Sequence, residues 1–219
     1  MERARLKFFF TQTAPAKYIQ HLGGLVFFEG LSLVLVALLS RHYLESAMLS
    51  HMLIQFPLIL ICGYKISQIV SSFFSKTCKR WSQVSQFLIS FDSFGISGLL
   101  LLLLVSAFWM VPRVLEESLT NENIELLKFI SLLLLGSVLP SSLRRSNWIT
   151  QLFFLGNFCG MTAIVGLIYQ EIPQRLCNSY LIDDQKYTGI GLVCMSLVIP
   201  VVWCIAYRGY FVDKTSKVH

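Results

Sequence analysis

The sequence predicts an all-α fold: a polytopic integral membrane bundle of six transmembrane helices, with both termini in the cytoplasm. Of the 219 residues, 55% are hydrophobic and only 14% are charged, whereas a soluble domain carries charge on about a quarter of its residues. Apolar runs of about 20 residues, each long enough to cross a bilayer core, recur along the chain. Lys and Arg are concentrated in alternate connecting segments, which is typical of a multi-pass membrane protein.

Six apolar runs account for a single transmembrane domain over residues 1–219. Irregular backbone cannot face lipid, so we expect each run to be a helix. The expected spans are Leu22–Ser40, Leu44–Ile66, Phe87–Val111, Ile124–Pro140, Trp148–Gln170 and Tyr187–Tyr207. The N-terminal stretch is basic but has no apolar core followed by a small-residue cleavage site, so we expect a retained cytoplasmic tail and not a signal peptide.

The positive residues give the orientation. The tails and the even-numbered loops carry most of them: Arg3, Arg5, Lys7, Lys17, Lys76, Lys79, Arg80, Arg144, Arg145, Arg208, Lys214 and Lys217. Positive segments stay in the cytoplasm, so the alternate, acidic loops are predicted to face outward. The net charge of +6 therefore reflects membrane topology, and we expect no nucleic-acid partner.

The chain lacks the common signatures of enzymes. It contains no HExxH, no P-loop, no GxSxG and no CxxCH haem-attachment motif, so an enzyme is not expected. The six cysteines form no CxxC pair, and most lie in or beside apolar runs. They are interpreted mainly as buried packing thiols.

The second span carries the main candidate site. Met48, His51 and Met52 fall on one helical face near its outer end, and His42 precedes them in the first outer loop. Thioether and imidazole groups suit copper, and thioethers favour Cu(I). The competing interpretation is that the methionines pack and the histidine hydrogen-bonds a neighbouring helix.

A second cluster, Asp183-Asp184-Gln185, opens the sixth span on the same predicted side. Two carboxylates at a helix N-terminus are typical of capping, but Asp184 is also a candidate ligand beside His51. Glu29 in the first span and Asp92 in the third are costly in hydrocarbon. Each is expected to pair, to protonate or to face another subunit.

Two short segments resemble the CtaG-like family of cytochrome oxidase assembly proteins. That family has a His-Met-x-x-His-Met-Leu pattern before a proline, and here Ala47-Met48-Leu49-Ser50-His51-Met52-Leu53 precedes Pro57. It also has an Asp-Gln-x-x-x-Gly motif opening a late span, as at Asp184–Gly189. The resemblance implies copper delivery to a haem–copper oxidase, but Ala47 stands at the first histidine position and the family commonly has about seven spans.

Two hypotheses follow from these patterns. In the first, the chain is an inner-membrane, copper-handling assembly factor for an oxidase, with copper held by His51 and Met48 and supported by Met52, His42 and Asp184. In the second, it is a non-catalytic integral subunit of a larger complex, either a respiratory oxidase or a copper-dependent membrane monooxygenase. A transporter ranks third because the sequence shows no repeat.

Overall fold

The regular secondary structure of the described residues is entirely helical. The computed structural model describes residues 41–77 and 94–215, and within them the side chains of residues 41, 43–68 and 94–206. These ranges contain no β-strand. The predicted first span Leu22–Ser40, with Glu29, lies outside the described residues, as do Asp92 and the beginning of the third span.

Eight α-helices and one π-helix make up the described chain. In order they are α1 (Arg41–Leu44), α2 (Met48–Ser50), the π-helix (His51–Gln55), α3 (Phe56–Thr77), α4 (Ile96–Trp109), α5 (Pro112–Thr120), α6 (Glu122–Arg145), α7 (Trp148–Glu171) and α8 (Ile182–Thr215). Residues 48–77 form one continuous helical rod, since no turn separates α2, the π-helix and α3.

Four stretches of the described chain are long and apolar enough to cross a membrane. They correspond to the predicted second, fourth, fifth and sixth spans: Met48–Gln68, Glu122–Arg145, Trp148–Glu171 and Ile182–Ala206. The helices α4 and α5 are bent by 75° at a short break and together make a fifth candidate. A membrane-like helical bundle is therefore confirmed, with four to five spans in the described part. The count of six and the side of the termini stay predictions.

The π-helix has a local cause in the sequence. Pro57 has no backbone N–H, and its ring crowds the carbonyl four residues earlier, at Leu53. The wider π-turn lies immediately before this proline. Such turns are frequent at functional sites, and this one carries the buried side chains of His51, Met52 and Gln55.

Two pairs of glycines bring neighbouring helices into direct backbone contact. Where α3 crosses α6, a Cβ at Gly63 would collide with the carbonyl oxygen of Leu133, and one at Gly136 would collide with that of Leu60. Because only hydrogen fits at these positions, the two helices approach as closely as helices in membranes do at small residues. This contact is called the α3–α6 seam below.

The α7–α8 seam is built in the same way. A Cβ at Gly166 would lie 2.7 Å from the carbonyl oxygen of Gly189, and the reverse distance is 2.5 Å. The Gly156-x-x-x-Gly160 motif of α7, expected to pack against a helix, behaves differently. No described atom lies within 4 Å of a Cβ placed at either glycine. Among the described residues, helix packing therefore uses other glycines.

The two ends of the bundle differ in charge. One end collects the acidic residues at the start of α6 and α8 and in the neighbouring loops: Glu45, Glu116, Glu117, Glu122, Glu125, Glu171, Asp183 and Asp184. We call it the acidic end. At the opposite end α6 closes with Arg144 and Arg145. The candidate residues all belong to the acidic end.

Candidate functional site

A chain of buried polar groups lies at the acidic end. Lys128 of α6, in which no atom is exposed, places its Nζ 2.8 Å from Oε1 of Glu45. The same Nζ is 3.2 Å from Nε2 of His51. On the other side of the ring, Nδ1 of His51 is 2.8 Å from the hydroxyl of Tyr180. The loop before α2, the π-helix, α6 and the loop before α8 thus each contribute one group.

The contacts fix the tautomer of His51. An ammonium group can only donate, so Lys128 donates to Nε2 and this nitrogen carries no hydrogen. In a neutral ring the hydrogen is then on Nδ1, which donates to the hydroxyl oxygen of Tyr180. Both ring nitrogens therefore have hydrogen-bond partners. The ammonium group of Lys128 lies beside Nε2, which is the ring nitrogen that can act as an acceptor or a metal ligand.

Gln55, one turn further along the rod, completes the surroundings of Glu45. Its Nε2 donates to Oε1 of Glu45 over 3.1 Å, so a single carboxylate oxygen accepts from both Gln55 and Lys128. The other amide atom, Oε1 of Gln55, is buried and has no hydrogen-bond partner within the described chain. The network thus contains one buried acceptor that receives no hydrogen bond from the described residues.

The two groups of the network outside the spans have shifted pKa values. Burial by itself would raise the pKa of Glu45, but the hydrogen bonds from Lys128 and Gln55 and the charge of Lys128 outweigh it and hold the pKa below its ordinary value. Burial, with the negative charge of Glu45 nearby, raises the pKa of Tyr180. At neutral pH Glu45 is therefore ionised and Tyr180 is a neutral phenol.

The side chain of Asp184 contacts the second span at the backbone of Met48, not at a side chain. Its Oδ2 accepts a hydrogen bond from the backbone N–H of Met48 over 2.6 Å. Ala47 stands at the N-cap of α2 and has no side-chain acceptor. The carboxylate of Asp184, on α8, therefore supplies the N-cap acceptor for α2. The sequence favoured a cap at the N-terminus of its own helix for this residue, with a metal ligand as the alternative, and the observed contact caps α2 instead.

Three sulfur atoms belong to one buried cluster next to this network. Met48, Met52 and Cys177 pack in a core that also contains Tyr180. The thiol of Cys177 donates to the carbonyl of Pro112 over 3.1 Å, which ties the loop before α8 to α5. Burial, with a smaller contribution from the charge of Glu116, raises the pKa of this thiol to about 11.

The structure brings four of the five predicted metal residues to the acidic end: Met48, His51, Met52 and Asp184. The side chain of the fifth, His42, is not among those described. No group of three or more His, Cys, Asp or Glu side chains within the described ranges is arranged to hold a metal ion. Met48 and Met52 are not of these four residue types, and copper binding stays a prediction.

The sequence analysis did not identify Lys128, Tyr180 or Cys177 as site residues. Lys128 carried a usable signal, because a lysine seven residues into an apolar helix is costly unless it finds a partner. Tyr180 and Cys177 had no such signal, because their loop reaches His51 only through the packing of α7 against α8.

The chain matches no protein-family model, no curated protein and no solved structure. The resemblance to CtaG-like proteins therefore stays at the two segments that carry it.

Proposed function

We propose that this chain is a non-catalytic, multi-pass component of a respiratory or copper-enzyme system in the inner membrane. It would serve as an integral accessory subunit or assembly scaffold for an oxidase or a copper-dependent monooxygenase. The observation that carries this proposal is the engagement of both ring nitrogens of His51, one of them by the ammonium group of Lys128.

A metal ion at Nε2 of His51 would have to displace a positive charge that is already bound there. Lys128 itself is held by Glu45, and a buried ammonium that loses its partner is strongly disfavoured. The network instead connects four segments of the chain through their polar groups. This arrangement supports a role in holding the helices in position rather than in holding a ligand.

The proposal is tested by the size and abundance of the host complex. The chain, tagged at its natural level of expression, is solubilised in a mild detergent and separated on a native gel. We expect it to migrate with the catalytic subunit of an oxidase or monooxygenase, and we expect deletion of the chain to lower the abundance of that complex. Migration as a free 24.9 kDa chain, with the complex unchanged on deletion, would refute the proposal.

The second candidate function is Cu(I) handling of the CtaG type. It is favoured by the shared cluster of Met48, Met52 and Cys177, because thioether and thiolate sulfurs are the ligands that select Cu(I). In this version the sulfurs provide the ligands, and His51 joins them only if Lys128 moves away. The candidate differs from the first in requiring metal in this chain.

Anaerobic titration of the purified chain with Cu(I), against a coloured chelator, separates the two candidates. Cu(I) handling predicts stoichiometric binding that is weakened at least tenfold in a Met48→Leu, Met52→Leu double variant and in Cys177→Ser. The matched control is Cys194→Ser, because Cys194 is an exposed thiol. Equal binding by all four proteins would eliminate the sulfur cluster as a copper site.

A further inference from the structure

Helix α7 has an open groove along its exposed side. Four adjacent pairs of residues line it, at positions 152–153, 156–157, 160–161 and 164–165. Gly156 and Gly160 lie at its centre, and no described atom is within 4 Å of a Cβ placed at either residue. The groove therefore runs through the middle of a stretch that is long and apolar enough to cross a membrane.

A polar side chain, Asn157, lies in this groove. It is exposed and is the tenth residue of the 24-residue helix, so it belongs to the central part of the span. One N–H of its amide donates to the carbonyl of Phe153 over 2.8 Å. A primary amide has two N–H donors and one oxygen acceptor, so the second N–H and the oxygen have no hydrogen-bond partner among the described residues.

These two groups distinguish the groove from an ordinary lipid-facing surface. Hydrocarbon chains offer neither a donor nor an acceptor, so a lipid in the groove would leave both groups of Asn157 unpaired at a cost in free energy. An occupant that supplies one donor and one acceptor at this depth would remove that cost. The groove therefore favours a helix with a polar side chain over lipid.

The same residue of a second copy supplies these groups. In a symmetric dimer each residue at the two-fold axis faces its own copy, and each Asn157 would offer one N–H and one oxygen to the other. Two reciprocal hydrogen bonds then satisfy both amides. Two copies that insert into the membrane in the same direction also bring their α7 helices together in parallel, as this axis requires.

The spacing of the lining pairs also fits a second copy. Residues that recur every four positions form a ridge along a helix, and two such ridges interdigitate at a crossing angle of about −50°. In membranes, glycines four residues apart are typical of close, right-handed crossings at about −40°. Gly156 and Gly160 would let the two backbones approach at the point where Asn157 meets its copy.

We propose that the α7 groove binds the α7 groove of a second copy of this chain, with the two Asn157 side chains hydrogen-bonded to each other. This interaction surface goes beyond the proposed function and does not depend on it. It also leaves the α3–α6 and α7–α8 seams intact, because those seams use other glycines.

Energy transfer in lipid vesicles tests the association. The full chain carries a donor or an acceptor dye on a C-terminal tag, and mixtures are reconstituted in phosphatidylcholine vesicles at decreasing protein-to-lipid ratios. We expect the wild type to associate, and Asn157→Leu and Gly160→Ile to associate about tenfold more weakly. The first variant removes the amide, and the second fills the crossing point.

The matched control is Asn123→Leu, which removes an exposed amide from the first turn of α6 and should associate as the wild type does. Energy transfer no greater than that of chains distributed at random would overturn the proposal. Unchanged association of either groove variant would overturn it as well, and would leave the groove to lipid or to a different helix.

Disulfide cross-linking provides a second measurement with a conservative change. Ile164→Cys, at a position 60% exposed beside the groove, is oxidised mildly in the same vesicles, and links between residue 164 of two chains are measured by mass spectrometry. The control is Ile190→Cys, at an exposed position on α8 (48%). Because a two-fold axis brings each residue near its own copy, we expect about a fivefold higher yield at residue 164. Equal yields at the two positions would contradict a dimer through α7.

Discussion

The acidic end and the middle of the bundle are held together by opposite means. At the acidic end, Glu45, Lys128 and His51 join separate segments through charges and hydrogen bonds. In the middle, backbone meets backbone at glycines along the α3–α6 and α7–α8 seams. A membrane bundle gains little from burying apolar side chains, since lipid is equally apolar, and it therefore depends on polar contacts and close packing.

The difference predicts which changes each region tolerates. Contacts at the acidic end depend on complementary pairs, so the removal of one partner should lower the unfolding free energy more than the removal of both. The seams depend on the absence of side-chain volume, so even one added methyl group should lower the unfolding free energy. The following variants test this difference, and their stabilities are to be compared by reversible denaturation in detergent micelles at pH 7.

The largest effect is expected for Lys128→Met. The substitution keeps a long side chain but leaves Glu45 without its opposite charge in a largely buried position. Breaking a buried ion pair from one side costs about 3–5 kcal/mol, so the unfolding free energy should fall by about that amount. The double variant Glu45→Gln, Lys128→Met should recover more than half of the loss. If the double variant is no more stable than the single one, the charge pair does not hold the acidic end.

The second effect concerns the α3–α6 seam. In Gly136→Ala the new Cβ meets the carbonyl oxygen of Leu60, which belongs to the backbone and cannot rotate away. Overpacking of this kind costs about 1–3 kcal/mol. The control is Gly160→Ala, where no described atom lies within 4 Å and the higher helix propensity of alanine should stabilise by about 0.5–1 kcal/mol. Equal changes in unfolding free energy for the two substitutions would show that α3 and α6 are not in close contact at Gly136.

The third effect is the loss of a cap. Asp184→Ala removes the acceptor for the backbone N–H of Met48, and the loss of an N-cap costs about 0.5–2 kcal/mol. Asp183→Ala is the matched control, since it removes a neighbouring, exposed carboxylate from the first turn of α8. The two variants are expected to differ by about 1 kcal/mol. A similar loss in both would assign the effect to the charge of this turn and not to the cap.

The sequence predicted more of the fold than of the site. Apolar runs identify helices such as α7 and α8 because span length and hydrophobicity are local properties. The sequence also placed His51 and Asp184 on the same side of the membrane, and the structure places both at the acidic end, where Asp184 contacts Met48. The partners of His51 did not, because Lys128 and Tyr180 are 77 and 129 residues away from it and the pairing depends on helix rotation. Periodicity along one helix cannot determine how that helix is rotated against its neighbours.

Glycine shows the same limit of sequence patterns. The Gly156-x-x-x-Gly160 spacing is a recognised packing motif, yet the described helices pack at Gly63, Gly136 and the α7–α8 pair instead. A close contact needs a glycine at the depth where the neighbouring helix brings its backbone, as where Gly63 meets Leu133, and this match between distant residues has no signature in either segment.

The smallest effect near neutral pH is expected for the titration of Glu45, because its contribution changes only in acid. The pKa of Glu45 is held below its ordinary value of 4.5 in the folded chain. The unfolded state therefore takes up the proton first as the pH falls. The resulting stabilisation is complete well above pH 4.5 and is lost as the pH falls through the lower folded value. Unfolding free energies measured from pH 7 to pH 3 should decrease more steeply for the wild type than for Glu45→Gln. Parallel curves would mean that the carboxylate of Glu45 is not the group through which acid loosens the acidic end.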